Sequence, residues 1–406
     1  MKKIFVLGLT VLLAVMIAIP ASALESKFGG YWRTRAYTYK DLTGEDSGSS
    51  DLAQTDTRTR LYYTAILNEN LKLVNKFEMD AVFGPSTSYG DIGADGINVE
   101  VKNTYADFNI GQVNFKIGAQ GGEVARAFLF CDDFSGATIT FKSDTFTVPV
   151  MWIKRAEGGS GKDANDQDVD YLVISPNLKL NENMTINPFI FIGSSSDYSL
   201  INPAVKDFTA YYIGVSADMK MDPASVWFTG IYEGGKMDFQ AGGDVKTSAY
   251  LVAVGGDMNL GMAGVHGQVF YATGQDDNET DITAFTLPKG ASYYWAELMG
   301  YGTIDVALSN NTPGDQITNI MAVNVGVSAS PMDKLTVGAD IWYASLAEGD
   351  DKPLGTEIDL SLKYELVQNL NLDVVVAYLL AGDATTEKAS NDANPLEVGA
   401  QLSLKF

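Results

Sequence analysis

The sequence predicts an all-β protein, a transmembrane antiparallel β-barrel of about eighteen strands. Three observations lead to this fold class. Segments of alternating apolar and polar residues recur along most of the chain, the connections between them alternate between short and long, and the first residues have the pattern of an export signal. An alternation with a period of two is typical of a strand with one apolar and one polar face.

The amino-terminal residues 1–23 match a secretory signal peptide. Two lysines precede an apolar run at 4–19, and an A-x-A cleavage pattern follows at 21–23. No later stretch reaches the ~18 apolar residues that a membrane helix needs. We therefore expect one outer-membrane barrel domain at 24–406, because a closed barrel is the other structure that satisfies every backbone group in lipid.

The composition agrees with an exported barrel. Without Lys2 and Lys3 the 28 basic residues become 26, against 51 acidic ones, so the net charge is −25. Such acidity argues against nucleic-acid partners. A mean hydropathy near zero suits alternating lipid-facing and water-facing residues better than it suits membrane helices. Cys131 is the one cysteine, which excludes an internal disulfide.

Eighteen alternating segments can be placed after the signal. An even count, with about 9–11 membrane residues in each strand, fits a bacterial barrel and puts both termini on the periplasmic side. Two adjacent assignments, at 113–119 and 136–143, are the least secure, so sixteen strands is the alternative. The segments lie near 28–40, 55–67, 71–83, 97–109, 113–119, 136–143, 146–156, 169–180, 184–195, 208–220, 225–234, 245–258, 262–273, 319–330, 335–346, 357–367, 370–381 and 396–406.

The connections form two sets that alternate along the chain. One set consists of tight turns rich in Asn, Asp, Gly and Pro, such as 68–70 and 221–223. Short periplasmic turns and long external loops produce this order in a barrel, whereas a soluble sandwich has no reason to sort its loops. The long, polar set comprises 41–54, 84–96, 120–135, 157–168, 196–207, 235–244, 274–318, 347–356 and 382–395.

The carboxyl terminus is a strand that ends on an aromatic residue. In LEVGAQLSLKF the apolar residues from Leu396 to Phe406 fall on one face and the polar residues and glycine on the other. This ending resembles the closing strand of bacterial outer-membrane barrels, in which the final aromatic is part of the membrane-insertion signal. The alternative is the last strand of a soluble sandwich.

Parity places charged side chains on the inner face of many strands. In the third segment Lys72, Lys76, Glu78 and Asp80 face inward, and the apolar residues between them face lipid. We expect a lumen that charged to be a watered channel and not a packed core.

The arginines form the first candidate pore feature. Arg33 with Arg35 and Arg58 with Arg60 are i, i+2 pairs on neighbouring strands, so all four are expected to form a basic patch on the inner wall. One interpretation is a charged ladder that polarises the pore. The other is salt bridging to lumen carboxylates such as Glu78.

The connection 120–135 is the second candidate pore feature. Its sequence QGGEVARAFLFCDDFS mixes apolar residues with Arg126, Asp132 and Asp133. If the loop folds into the barrel, its apolar residues are buried and its carboxylates approach the basic patch as a constriction. The alternatives are a loop folded over the mouth or packed at a subunit contact.

Other conspicuous residues carry weaker signals. The run SYYWAELMGYG at 292–302 suits a cover over the mouth or a subunit contact, and the acidic clusters at 163–170 and 276–281 lack the spacing of an EF-hand. His266 is the one histidine and is expected to line the lumen. One His and one Cys are too few for a zinc site, and no nucleophile motif accompanies His266, so we expect no enzyme, metal or cofactor.

Four segments of the chain resemble a known family. Residues 55–82, 91–108, 131–137 and 293–302 are similar to the homotrimeric outer-membrane porins known mainly from sulfate-reducing bacteria. The resemblance follows the same strand and loop order and is strongest before residue 140. It implies a trimer of barrels in the outer membrane that passes small hydrophilic solutes by diffusion, without a cofactor.

The sequence thus favours an outer-membrane porin that contacts membrane lipid, further copies of itself and small hydrophilic solutes. Two alternatives remain open. One is a substrate-selective channel of the maltoporin kind, which would need a run of lining aromatics. The other is a secreted or surface β protein without channel activity.

Overall fold

The computed structural model describes residues 25–84, 98–158, 167–290 and 293–406, and the signal peptide assigned to 1–23 lies outside them. In the described part, eighteen antiparallel strands close into one barrel. They are β1 (Glu25–Lys40), β2 (Leu52–Asn68), β3 (Leu71–Val82), β4 (Glu100–Ile110), β5 (Val113–Val124), β6 (Phe130–Lys142), β7 (Phe146–Ala156), β8 (Val169–Ile174 and Asn177–Lys179), β9 (Met184–Ser195), β10 (Val205–Met221), β11 (Ala224–Phe239), β12 (Asp244–Asn259), β13 (Ala263–Ala272), β14 (Ile320–Met332), β15 (Leu335–Leu346), β16 (Pro353–Val367), β17 (Leu370–Ala381) and β18 (Leu396–Lys405).

The described barrel has eighteen strands, the predicted number, and not the alternative of sixteen. Both insecure strands are present, as β5 and β6, and both are longer than expected. The two pieces of β8 count as one strand because each of them pairs with β7 and with β9 on either side of a break at Ser175 and Pro176. Proline cannot donate to the ladder, which accounts for the break.

The barrel closes between its first and last strands. β1 pairs with β18 from Tyr31 opposite Lys405 to Lys40 opposite Leu396. The Gly30 amide donates to the Phe406 carbonyl oxygen at 2.8 Å, and the Phe406 amide donates back to Gly30. A Cβ at Gly30 would lie 2.5 Å from the Phe406 ring, so glycine is needed for the terminal ring to lie against β1. The role of Phe406 as an insertion signal stays a prediction.

Exposure follows the alternation that the sequence predicted. In β16, Leu360 is 52% exposed toward the outside whereas Asp359 is 8% exposed on the inside, and in β18 Val398 is 41% exposed whereas Glu397 is fully buried. Within the described residues, no helix is long and apolar enough to span a membrane. The described residues also include a 3-10 turn at Tyr198–Leu200 and two one-turn helices, α1 (Glu297–Gly300) and α2 (Asp383–Thr386).

Several connections are shorter than predicted because their strands are longer than the sequence indicated. The prediction of a loop at 120–135 is wrong: β5 and β6 continue as a two-stranded hairpin, and only 125–129 form its turn. The turn has positive φ at Ala125, Arg126 and Ala127. The connection predicted at 235–244 likewise shrinks to 240–243, because Lys236 bridges to Asp238 and Asp244 and supports the strand ends.

The expectation of a watered channel and not a packed core is wrong for part of the lumen. The tip of the β5–β6 hairpin and the described residues of the long connection, 273–290 and 293–319, fold inside the barrel and form an apolar core with inward side chains of the wall. Phe128, Leu129, Leu298 and Met299 are all fully buried in this core. The aromatic run in the long connection therefore packs inside the barrel, because the hairpin tip and inward wall residues such as Phe270 offer it apolar cover.

Candidate functional site

The β5–β6 hairpin leaves the wall at two glycines. The last wall pairs are Thr104 with Ala119 and Gly136 with Ile153, and beyond them the hairpin strands pair with each other. The Cys131 amide also donates to the Gly290 carbonyl oxygen of the long connection at 2.8 Å. A Cβ at Gly118 would lie 2.3 Å from the Thr104 carbonyl oxygen, and one at Gly136 would lie 2.0 Å from the Trp152 carbonyl oxygen. Glycine at both positions therefore lets the two strands bend inward.

The hairpin tip reaches the far side of the barrel. Phe128 stacks on Tyr293 of the long connection with ring centroids 3.8 Å apart, and it also contacts Phe270 and Trp227. Arg126 forms an ion pair with Asp218 of β10 and lies over the Trp227 ring at 5.0 Å. Arg126 thus lies away from the other arginines, contrary to the expectation that it would accompany them.

The long connection is fastened to the wall by buried carboxylates. The Leu298 and Met299 amides donate to the Glu357 carboxylate at 2.6 and 3.0 Å. The Thr286 amide and hydroxyl donate to Glu233 in the same way. Each of these bonds pairs a buried carboxyl oxygen with a donor of the connection, and both groups would be costly to leave unsatisfied, so the bonds hold the connection in one position.

Two titratable groups of the long connection are themselves buried. Burial raises the pKa of Tyr293 to about 12, and its hydroxyl donates to Gln268 at 2.5 Å. Burial likewise raises the pKa of Glu297, although hydrogen bonds from the Thr303 amide and hydroxyl act in the opposite direction. These hydrogen bonds therefore hold both side chains in fixed positions within the long connection.

The four arginines of β1 and β2 lie together and are neutralised. Arg33 and Arg58 face each other across the two strands. Their cluster, which we call the arginine cluster, contains four guanidinium groups and four carboxylates, so its net charge is zero. It comprises Arg33, Arg35, Arg58, Arg60, Asp56, Glu78, Asp80 and Asp305.

Two of these arginines are covered and two are more open. Arg35 binds Asp56 through Nε–Oδ1 and Nη2–Oδ2 contacts of 2.9 and 2.8 Å. Asp305 of the long connection pairs with Arg35 and lies 3.3 Å from Arg33. The Arg33 and Arg35 side chains are only 10% and 7% exposed, against 24% and 25% for Arg58 and Arg60.

Arg58 and Arg60 each have a carboxylate partner on β3. Arg58 contacts Asp80 through two bonds of 2.7 and 2.6 Å, and Arg60 pairs with Glu78. The salt-bridge interpretation of the arginines therefore holds in the described structure, and it leaves the pore-polarising interpretation open.

The hairpin carboxylates face the open side of the arginine cluster. A space of about 680 Å³ is lined by Arg58 and Arg60 on the wall and by Asp132 and Asp133 on the hairpin, with Cys131 beside them. We call this space the charged passage. Its other lining residues are Glu78, Lys102, Gly121, Gly122, Glu123 and Tyr294.

Neighbouring contacts fix the walls of the passage. Asp133 binds Lys102 at 2.7 Å and accepts from the Asn103 side chain at 2.7 Å. Two of the predicted lumen residues, Lys72 and Lys76, are not among the residues that line the passage. Lys76 lies 5.2 Å from the centre of the Tyr62 ring, and Lys72 is opposite Asp107 on the next strand. A second, smaller space of about 250 Å³ borders Arg33 and Arg35 on the side of β3.

Asp56 and Asp305 are the residues of the arginine cluster that the sequence analysis did not name. Asp56 lies on the same face of β2 as Arg58 and Arg60, so the alternation of that strand could have identified it. The expected partners of Arg33 and Arg35 were the hairpin carboxylates, whereas Asp305 comes from a connection expected at the mouth or at a subunit contact. No local signal marks Asp305 among the many acidic residues of the external loops. Its position depends on how the connection docks through Glu233 and Glu357.

The remaining candidates have structural partners. His266 Nε2 lies 2.7 Å from Asp340 Oδ1, inside the barrel. Among the residues that the structure describes, no group of three or more His, Cys, Asp and Glu side chains could hold a metal ion. Asp163 and Asp166 of the first acidic cluster lie outside the described residues, and Asp170 of that cluster binds Lys154.

Comparisons with known proteins give a likeness in structure alone. No protein-family model and no curated protein matches the sequence. The outer membrane protein OpdK of Pseudomonas aeruginosa is 12% identical, with a TM-score of 0.61 over 94% of this chain and 98% of its own. OccAB1 of Acinetobacter baumannii is also 12% identical, with a TM-score of 0.61 over 94% and 97% of the two chains.

A further structure of this kind is OccK11 (OpdR) of P. aeruginosa, at 10% identity and a TM-score of 0.60 over 94% of this chain and 96% of its own. OpdK has also been solved with vanillate. At such low identity the likeness shows the fold and nothing finer. The resemblance to porins of sulfate-reducing bacteria and the trimer that it implies are not shown by these comparisons. The chain has the fold of an eighteen-stranded outer-membrane channel of the Occ kind.

Proposed function

We propose that the protein is a passive outer-membrane channel, through which small hydrophilic solutes and ions diffuse along the charged passage. The observation that carries this proposal is the pairing of opposite charges across one open space, with Arg58 and Arg60 on the wall and Asp132 and Asp133 on the hairpin. Opposed charges across a narrow watered gap create a transverse field, which orients polar solutes and disfavours apolar ones.

The charge balance supports weak ion selectivity. The arginine cluster carries four positive and four negative groups, so it gives no strong preference to anions. The excess of acidic residues elsewhere in the chain tilts the preference modestly toward cations.

A substrate-selective channel is the second candidate. Two insertions narrow this lumen, the β5–β6 hairpin and the long connection, and such narrowing favours recognition of particular solutes. OpdK, which has a similar fold, has been solved with vanillate. A selective channel would show saturable flux of one solute, whereas a general porin would show flux that rises in proportion to concentration.

The proposal is tested by single-channel recording of the purified protein in planar bilayers, together with flux assays in liposomes. We expect discrete conductance steps and flux of small neutral and charged solutes. Heat-denatured protein is the control. Complete absence of conductance from folded protein would overturn the proposal and favour a surface β protein without channel activity.

Export, location and assembly belong to the same proposal. Cleavage of the signal peptide near residue 23 is tested by the amino-terminal sequence of protein recovered from outer membranes. The homotrimer implied by the family resemblance is tested by native mass spectrometry in detergent. We propose no catalytic role, and no residue of the passage is assigned to one.

A further inference from the structure

Four carboxyl groups meet where α1 of the long connection packs on the inner wall formed by β16, β17 and β18. Glu357 and Asp359 lie on β16, Glu397 lies on β18, and Glu297 belongs to α1. Asp359 and Glu397 are both opposite Ala377 of β17, whose small side chain leaves room between them. We call the four acidic residues the carboxyl cluster.

The carboxyl cluster is closed off from water. Glu357 and Glu397 are fully buried, and Asp359 is 8% exposed. The long connection covers the wall at this point, because a Cβ at Gly399 of β18 would lie only 2.6 Å from the Ile304 side chain. An ionised carboxylate in such surroundings is costly unless it is paired and hydrogen-bonded.

The cluster has fewer hydrogen bonds than four ionised carboxylates need. Among the described residues, neither carboxyl oxygen of Glu397 accepts a hydrogen bond of normal geometry, and Asp359 Oδ1 has no partner. A hydrogen bond joins the carboxyl groups of Glu357 and Asp359. Two carboxyl groups can share such a bond only when one of them carries a proton. The cluster therefore holds protons in this structure.

The surrounding charges do not offset four negative groups. The titratable and charged groups that face the cluster from the packed elements are Asp305 of the long connection, Asp340 of β15 with its partner His266, and Arg35 and Tyr39 of β1. Arg35 is already paired with Asp56 and Asp305. Two further carboxylates thus add to the negative charge, and the guanidinium group beside them is already engaged.

We propose that the carboxyl cluster is a pH-dependent switch, which holds α1 against β16–β18 while it retains its protons and releases α1 when they are lost. The Leu298 and Met299 amides of α1 donate to Glu357, so the group that shares a proton with Asp359 also anchors the helix. Loss of the protons places like charges side by side in a buried space. Their repulsion is relieved when α1 moves away from the wall.

The direction of the pH effect follows from the number of bound protons. In water, these carboxyl groups would lose their protons above about pH 4. Docking of α1 is therefore most stable in acid and weakens as pH rises. Its equilibrium constant falls about tenfold for each pH unit over which the docked form holds one extra proton. Release of α1 widens the lumen, so conductance should rise with pH, and this last step rests on the proposed channel function.

The test is hydrogen–deuterium exchange of the purified full-length protein in detergent micelles, followed in peptides that cover 295–304. Wild type and Glu397→Gln are compared at the same pH, because exchange itself depends on pH. Glutamine keeps the size of the side chain and cannot ionise. At about pH 8 these amides should exchange about tenfold or more faster in wild type than in Glu397→Gln, and at about pH 5 the rates should be equal. Glu182→Gln, in the exposed turn between β8 and β9, is the matched control and should behave as wild type.

Infrared spectra of the same samples detect the protons directly. The band of protonated carboxyl groups in wild type should decline between about pH 5 and about pH 8, in parallel with the rise in exchange. Glu397→Gln should have a weaker band than wild type at the lower pH. These spectra of wild type decide the question even if the variant loses the heat-modifiable mobility of a folded barrel on SDS gels.

Two results would overturn the proposal. One is equal exchange of 295–304 in folded wild type and Glu397→Gln at both pH values, and the other is a wild-type protein without protonated carboxyl groups at the lower pH. Neither measurement requires conduction. A pH response of exchange in protein that conducts no current would support the switch and overturn the channel proposal, so the two failures are distinguishable.

Discussion

Removal of the Asp305 charge tests the balance of the arginine cluster. Asp305 pairs with Arg35 and lies 3.3 Å from Arg33, and it completes four carboxylates against four guanidinium groups. Asp305→Asn keeps the size of the side chain and leaves the cluster with one net positive charge. We expect the channel to become more permeable to anions.

The magnitude follows from Coulomb's law. A unit charge about 8 Å from a permeant monovalent ion in water changes the energy of that ion by about 0.5 kcal/mol. The anion gains what the cation loses, so the difference between them changes by about 1 kcal/mol, which is roughly a fivefold change in the anion-to-cation permeability ratio. Salt screens the effect beyond about 10 Å at 0.1 M, so the measurement belongs at that concentration or below.

The assay is the reversal potential of single channels under a potassium chloride gradient. Asp350→Asn is the matched control, because it removes the same charge from an exposed position in the external turn between β15 and β16. We expect a clear shift for Asp305→Asn and a much smaller one for Asp350→Asn. Identical reversal potentials for wild type and Asp305→Asn would refute the role assigned to the cluster, and equal shifts for the two variants would do the same.

Three further predictions follow from the same structure. Neutralising Arg58 and Arg60 together should strengthen cation preference, whereas neutralising Asp132 and Asp133 should weaken it. Equal reversal potentials for wild type and both double variants would exclude these residues from the ion path. Leu360→Arg points a charge toward lipid and should lower the free energy of unfolding by roughly 2–4 kcal/mol near the midplane, whereas Ser361→Arg points inward and should lower it far less. Equal loss of stability for the two variants in denaturant titrations would show that the face assignment is wrong. Glu357→Ala removes the acceptor of two backbone amides, and each amide left unsatisfied costs about 1–3 kcal/mol, so the long connection should become more mobile. Open-channel current noise should therefore rise compared with the control Glu365→Ala, and unchanged noise would mean that Glu357 does not hold the connection.

The wall of the barrel was predictable from the sequence because its physics is local. Lipid on one side and the interior on the other impose a period of two on every strand, and the short turns carry their own residue signals. This is why the strands near β3, β16 and β18 were placed within a few residues. Parity also placed Arg58 and Glu78 on the same inner face, where they lie 3.7 Å apart.

The contents of the barrel were not predictable in the same way. Residues 292–302 would have the same apolar composition whether they covered the pore mouth, packed between subunits or folded into the barrel. All three positions bury the segment, so its composition does not distinguish them. The choice depends on distant partners, for example the Glu357 carboxylate that accepts from Leu298 and Met299. The pairing of Asp305 with Arg33 follows from that docking and from no pattern along the chain.

The β5–β6 hairpin was predictable from the sequence in part: its burial was, and its strand structure was not. The sequence AFLF in 127–130 signalled that this segment packs against something, and Phe128 and Leu129 are in fact fully buried. The continuation of β5 and β6 into the hairpin was missed, because residues such as Gly121 and Gly122 weaken the strand pattern. Their pairing with Asp133 and Asp132 comes from the partner strand and not from their own propensity.

Cys131 offers the most direct test of the central claim, that solutes pass along the charged passage. It is the one cysteine of the chain and lines the passage beside Asp132. We expect a cationic methanethiosulfonate reagent to lower the conductance of single wild-type channels in steps and to leave Cys131→Ser channels unchanged. Mass spectrometry establishes that the thiol has reacted. Full modification of Cys131 without any change in conductance would contradict the account, because the ion path would then lie elsewhere in the barrel.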